Sequence, residues 1–188
     1  MSETPRYHTG KFPPQNLHWK ELVPLVNPAA TNIAKFDGLL RAVPNPEVLL
    51  APLRTKEATS SCRIEGTKVT DGDVFAADAA GGKPEVSPKK REEIREAQNY
   101  RQVIKRAVEL IDEPDKPRQI SVMIIKEAHK LLLDGLQQGT PGEFRKGPVH
   151  IGIEGGPALF HPIEDYLVGQ AMQAWEEYTG NPEGALDP

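Results

Sequence analysis

Residues 57–67 read Glu57-Ala58-Thr59-Ser60-Ser61-Cys62-Arg63-Ile64-Glu65-Gly66-Thr67, and the way this run ends organises the chain around it. A helix entering from Pro46 through Val48, Leu49, Leu53 and Ala58 can run as far as Glu65, where Gly66 supplies a stop. Pro52 falls in its first turn or kinks it. Four residues separate Ser61 from Glu65, so the two side chains stack on one face of the final turn. Upstream, Ile33, Phe36, Leu39 and Leu40 form one apolar face on a helix over Thr31–Val43, which Pro44 and Pro46 break. The lead, Met1–Asn27, holds Pro5, Pro13, Pro14 and Pro24 and cannot be helical throughout. It is expected to lie extended over the body, pinned by Phe12 and Trp19.

Downstream, Asp71–Pro88 contains small residues, paired glycines and two prolines, and reads as a mobile connection. Ser87-Pro88 then offers an N-cap followed by proline in the first helical position. The helix that follows runs to about Ile111 on Ile94, Ala97, Val103, Ile104, Val108 and Ile111, and Asp112–Pro117 ends it. Ser121–Leu136 is a further amphipathic helix built on Ile124, Ile125, Ala128, Leu131 and Leu132. Gly139–Gly156 mixes glycine and proline with Phe144, Val149 and Ile151, the pattern of two short strands and a tight turn. Pro162–Tyr178 is the last helix. The fold class is mainly α with one β-hairpin.

The 188 residues suffice for one domain or a closely packed pair. Charged residues make up 27% and apolar ones 38%, an ordinary globular balance rather than a disordered one. The net charge of -4 comes from intermixed signs without a basic block, so electrostatics gives direct nucleic-acid binding no support. No apolar run is long enough for a membrane span, and Met1–Gly10 is polar, unlike a signal peptide. The single cysteine, Cys62, has no internal disulfide partner and no CxxC companion. It is expected to be a small buried residue rather than a nucleophile. A cytoplasmic, reduced protein is the expectation.

Two stretches carry more specific information. One is the run from Glu57 to Thr67. The other is Pro141-Gly142-Glu143-Phe144-Arg145, followed by His150-Ile151-Gly152. Between them lie Arg91–Tyr100, with its Arg-Glu-x-x-Asn-Tyr ending, and Glu127-Ala128-His129-Lys130-Leu131-Leu132. In this order the set resembles the Fic family, specifically members that carry an inhibitory helix ahead of the Fic core. The resemblance extends over nearly the whole chain from about Phe12. It implies a Fic-like helical fold in which residues 1–85 hold the N-terminal region, with the inhibitory helix ending near 66. Residues 86–188 would be the first part of the core, helices plus a flap hairpin.

The family's inhibitory signature is Ser or Thr, three residues, Glu, then Gly or Asn, which Ser61, Glu65 and Gly66 fit. The resemblance implies that Glu65 engages an arginine that otherwise receives the γ-phosphate of ATP, leaving the α-phosphorus misaligned for in-line attack. A carboxylate suits that task, because a carboxylate–guanidinium pair is bidentate and directional. The plain alternative is an exposed, idle helix turn. Gly142, Glu143, Phe144, Arg145, His150, Ile151 and Gly152 resemble the flap, which docks an extended segment of a target protein by strand addition. The alternative there is an ordinary surface hairpin, with Arg145 either a phosphate contact or a solvated charge. At Leu159-Phe160-His161-Pro162 the chain departs from the family's usual flap sequence.

Fic chemistry uses a loop reading His-Pro-Phe-x-(Asp/Glu)-Gly-Asn-Gly-Arg-x-x-Arg, which supplies the base, the metal ligand, a phosphate cradle and charge neutralisation. His161-Pro162-Ile163-Glu164-Asp165 imitates its start, but Tyr166-Leu167-Val168-Gly169 follows where the glycines should be. No catalytic residue and no metal ligand is therefore assigned, and the chain is expected to stop ahead of that loop. ATP and Mg²⁺ are implied for the complete enzyme, and no cofactor for this chain alone. The reading is the regulatory and target-docking half of a protein AMP-transferase acting on Ser, Thr or Tyr hydroxyls, inactive by itself, with a target protein on the flap and a homodimer allowed. Two alternatives stay open: a non-enzymatic protein that inhibits an intact Fic enzyme in trans or binds targets through the flap, and a helical remnant without activity.

Overall fold

A computed structural model of the chain describes residues 4–7, 11–13, 17–81, 84–112, 119–137, 139–153 and 155–180. The elements run α1 (Trp19–Ala42), α2 (Glu47–Ile64), α3 (Asp71–Ala79), α4 (Pro88–Ile111), α5 (Val122–Leu132), β1 (Ile151–Gly152), β2 (Ala158–Phe160) and α6 (Val168–Gly180), with one 3-10 turn at Asp165–Leu167. The fold is mainly α with a single small antiparallel sheet, as the sequence implies.

The core lies where α2, α3 and α4 meet. Ala58 and Cys62 of α2, Val69, Val74 and Ala77, and Ile94 and Ala97 of α4 are buried together, with Val86 and Tyr100 packed on them. Ala58, Ala77 and Ala97 are 0% exposed, one on each helix. A methyl group at each crossing lets the helices approach closely, so few large side chains are needed. Burial of Ile94, Val69 and Val74 stabilises the fold by roughly 1.5–3 kcal/mol each. α5 packs along α4, and α6 touches α5.

Helix ends follow local chemistry. Ser87 and Ser121 cap α4 and α5, each hydroxyl accepting from the backbone N–H three residues on, at 3.3 and 3.2 Å. Pro88 takes the first helical position of α4. At the other end of α5, Asn99 donates to the carbonyls of Leu132 and Asp134, both at 2.9 Å, and Arg95 donates to Asp134 O at 2.8 Å. These side chains satisfy carbonyls that the end of α5 leaves without intrahelical partners.

Four expectations are corrected. Asp71–Pro88 is not merely a connection, because its first half is α3. Thr70 Oγ accepts from Asp73 N–H at 3.2 Å while the Asp73 carboxylate accepts from Thr70 N–H at 2.8 Å, a capping box that starts the helix among small residues. α3 is then tied to α4 by Asp73–Lys90 at 2.6 Å and Asp78–Arg101 at 2.8 Å. The helix expected from Thr31 already begins at Trp19 and carries Pro24 and Pro28 within it. Each proline removes one backbone donor, and residues 20–39 are exposed throughout, so water can serve the freed carbonyls. Among the described residues, α1 packs on no other element. The strands sit nearer the C-terminus than expected, leaving Phe144 and Val149 outside them, and the last helix begins at Val168 after the 3-10 turn.

Two measurements test this packing. The Lys90 ammonium and the Thr70 hydroxyl hold Asp73 below the ordinary carboxylate range. Its contribution is therefore present above the unfolded pKa of about 3.9 and is lost as pH falls through the lower folded value. Asp73→Ala should cost about 1 kcal/mol near neutral pH. In thermal melts the gap from the native sequence should shrink in strong acid; an undiminished gap would refute the ionic contribution. Burial pushes the Cys62 thiol up to about 11, so a thiol reagent should label the native protein slowly and the urea-unfolded chain fast.

Candidate functional site

The end of α2 turns on Gly66. Thr67 N–H donates to Cys62 O and Gly66 N–H to Arg63 O, both at 3.1 Å. Gly66 has φ of 100°, a conformation that a residue with a Cβ adopts at a cost. This six-residue closure stops the helix within one turn of the core. Cys62 faces inward, and Glu65 is carried out to solvent.

Glu65 lies in an open cleft of about 450 Å³. The cleft's other walls are Gly66 and Thr67, the first turns of α4 with Lys89, Glu92, Glu93 and Glu96, and Leu136 beyond α5. Burial, then the charges of Glu65 and Glu93, hold the Glu96 carboxyl above its usual range. Four carboxylates against one ammonium give a cleft suited to a cation. Ser61 does not share it with Glu65. Its hydroxyl donates to the Tyr100 hydroxyl at 3.4 Å, which in turn donates to Glu57 at 3.5 Å. Ser61 thus ties the last turn of α2 to α4, while Glu65 projects free of the core. The wall residues Glu92, Glu93 and Glu96 are absent from the sequence-based set, although their spacing along α4 puts them on one helix face.

The second set of residues divides into anchors and exposed positions. Gly142 has φ of 76° and presses against α5, where a Cβ would stand 3.2 Å from Lys126 O. Its N–H donates to His129 Nδ1 at 3.1 Å, so the His129 proton resides on Nε2. Phe144 lies under the Lys126 ammonium, 4.5 Å from the ring centroid. Arg145 is neither a solvated charge nor open to a phosphate, since its guanidinium donates to Ile163 O and, at 3.0 Å, to Gly147 O. Gly147 N–H donates to Asp165 at 2.6 Å, closing the base of the hairpin. Glu143, His150, Ile151 and Gly152 are exposed. Gly152 permits close strand pairing, because a Cβ there would meet Pro157 O at 2.8 Å. Ile151 pairs with Phe160 and Gly152 with Ala158, so Leu159 is the extra residue of a bulge in β2.

His161 follows β2 and forms an isolated parallel bridge with Arg6. Its N–H donates to Pro5 O at 3.0 Å and its carbonyl accepts from Tyr7 N–H at 2.9 Å. Residues 162–167 lead through the 3-10 turn into α6, and no glycine nest forms there. The N-terminal contact realises the expected extended lead only ahead of α1: Phe12 does pin it, edge-on against Tyr178 with centroids 5.2 Å apart, whereas Trp19 begins α1 and residues 19–27 are helical. Residues 181–188 lie outside the described residues.

The anchoring role of Gly142 is testable. Gly142→Ala should destabilise the hairpin base by on the order of 1–2 kcal/mol. Hydrogen exchange should speed up over residues 140–161 while α2 and α4 keep their protection; unchanged exchange in the hairpin would refute the anchor.

Comparison with known proteins agrees with the sequence reading over the N-terminal half. Residues 23–109 match the family model described as Fic/DOC family N-terminal. This segment contains α2, α3 and nearly all of α4, with the Ser61–Glu65 turn and the cleft it borders. No match was found among curated proteins or among solved structures. Over residues 23–109 the chain is similar to the N-terminal region of the Fic/DOC family.

Proposed function

We propose that the chain is the regulatory and target-docking half of a Fic-type protein adenylyltransferase, with Glu65 as the inhibitory carboxylate. The observation that carries this reading is the position of Glu65, at a helix end closed by Gly66, exposed in an acidic cleft with room for a guanidinium. An exposed carboxylate with no guanidinium of its own in the cleft suits an arginine presented by another segment of polypeptide. Such a pair would be charge-assisted and bidentate, and it would hold that arginine away from a nucleotide phosphate. The chemistry would be transfer of AMP from ATP to a target hydroxyl, with ATP and Mg²⁺ bound by the catalytic loop and not by this chain. The hairpin would present the target. Its exposed residues Glu143, His150 and Ile151 make the contacts, while Gly142, Phe144 and Arg145 fix its base to α5 and to the segment before α6.

The open cleft also favours action in trans, since nothing in it depends on covalent continuity with the arginine. Three assays decide. Incubated with labelled ATP, Mg²⁺ and candidate targets, the purified chain should transfer no label, and transfer would refute its inactivity. In a polypeptide that joins this chain to a Fic catalytic loop, Glu65→Gly should raise transfer at least about tenfold, the loss of roughly 1.4 kcal/mol of inhibitory interaction. An equal rate in the two would sink the inhibitory role. Added to a Fic core without an inhibitory helix, the native chain should slow transfer and the Glu65→Gly chain should not.

A further inference from the structure

The N-terminal lead does more than lie on the surface. Pro5 O accepts from His161 N–H and Tyr7 N–H donates to His161 O, so Arg6 sits opposite His161 as a parallel strand pair. On the neighbouring residue, Phe160 pairs with Ile151 of β1. Consecutive residues of a strand direct their backbone groups to opposite sides, so the lead and β1 flank β2 on its two edges. The lead thus meets the chain at His161, the residue just after β2, on the side away from β1. Phe12 fastens the same lead to α6 through Tyr178.

We propose that residues 5–7 act as a built-in edge strand that closes the hairpin on its β2 side and confines docking to the outer edge of β1. This rests on the reading of the hairpin as the target-docking element. The outer edge of the lead is a poor template, because Pro5 O and Tyr7 N–H are turned to His161 and only the backbone groups of Arg6 face outward. The β1 edge is the better one. Apart from the hairpin's own ladder, residues 148–152 make no backbone hydrogen bond to other described residues. Val149, Ile151 and Ile153 recur at every second position and are 49%, 59% and 71% exposed. This spacing puts them on one face of an extended chain. The bulge falls in β2, at Leu159, so β1 keeps its regular alternation. The occupant that fits is an extended polypeptide segment with apolar, β-branched residues at alternate positions: backbone pairing along β1 gives register, and contact with Val149, Ile151 and Ile153 selects the alternation.

The test uses a lysine-capped peptide alternating valine with threonine, titrated into the full chain labelled with ¹⁵N. Amide signals of residues 149–153 should move, those of 158–161 should not, and one peptide should bind per chain. Removing residues 1–7 should open the β2 edge, add shifts at 158–161 and raise the stoichiometry to two. Tyr7→Pro, which deletes the N–H donated to His161, should do the same with the lead still attached. His150→Pro should weaken binding to the intact chain at least about tenfold by removing an N–H from the outer edge ahead of β1, without a Cβ forced against β2. Shifts at 158–161 in the intact chain, with signals of the lead released, would overturn the proposal while leaving hairpin docking in place. So would a single β1 site that persists unchanged after the lead is removed. Absence of binding to either edge, in every form of the chain, would overturn the docking reading itself.

Discussion

The pair of hydrogen bonds that closes α2 around Gly66 constrains most of what surrounds it. Thr67 N–H reaches back to Cys62 O, and Gly66 N–H to Arg63 O. Within that closed turn Cys62 faces the alanine-lined junction of three helices and Glu65 faces the cleft. A longer helix would carry its next residues into the space where Val69 enters the core and Thr70 starts α3. The turn sets the direction in which the chain leaves, and therefore where α3 can pack. It also explains why a carboxylate this near the core remains in water: the helix ends before burial reaches it.

α4 is the element on which the other parts converge. One stretch of its surface holds α3 through Lys90, Gln98 and Arg101. Another holds the end of α5 through Arg95 and Asn99. Its first turns supply the acidic wall opposite Glu65. The Arg-Glu-x-x-Asn-Tyr ending of residues 95–100 thus has a physical account residue by residue. Arg95 and Asn99 satisfy carbonyls at the end of α5, Glu96 lines the cleft, and Tyr100 receives Ser61. The hairpin follows the same division. Gly142, Phe144 and Arg145 are consumed in holding it, which leaves β1 outward-facing.

Several elements were legible before any coordinates. The caps at Ser87 and Ser121, the stop at Gly66, the burial of Cys62 and the mainly α class follow from short-range chemistry, and the structure has them. α3 was hidden because its start signal, Thr70-x-x-Asp73, is embedded among small residues that also suit a loop. What makes it a helix is the surface of α4, which offers Lys90 and Arg101 to its carboxylates. α1 was underestimated by its prolines, whose local cost does not forbid a helix exposed to water. Arg145 is the plainest case of a role that its own neighbourhood in sequence could not reveal. Its partner carbonyl belongs to Ile163, across the hairpin.

The amino-acid sequence by itself determined the likeness to the Fic/DOC N-terminal region, the helix ends and the identity of the residue at the tip of α2, because each depends on residue types at fixed short spacings. The tertiary structure alone decided that Glu92, Glu93 and Glu96 share a cleft with Glu65, and that Ser61 turns away from it toward Tyr100. It alone decided that Pro5 and Tyr7 pair with His161 at the end of β2. Those are encounters between segments far apart in the chain, and no local preference encodes which surfaces will meet until the helices have packed.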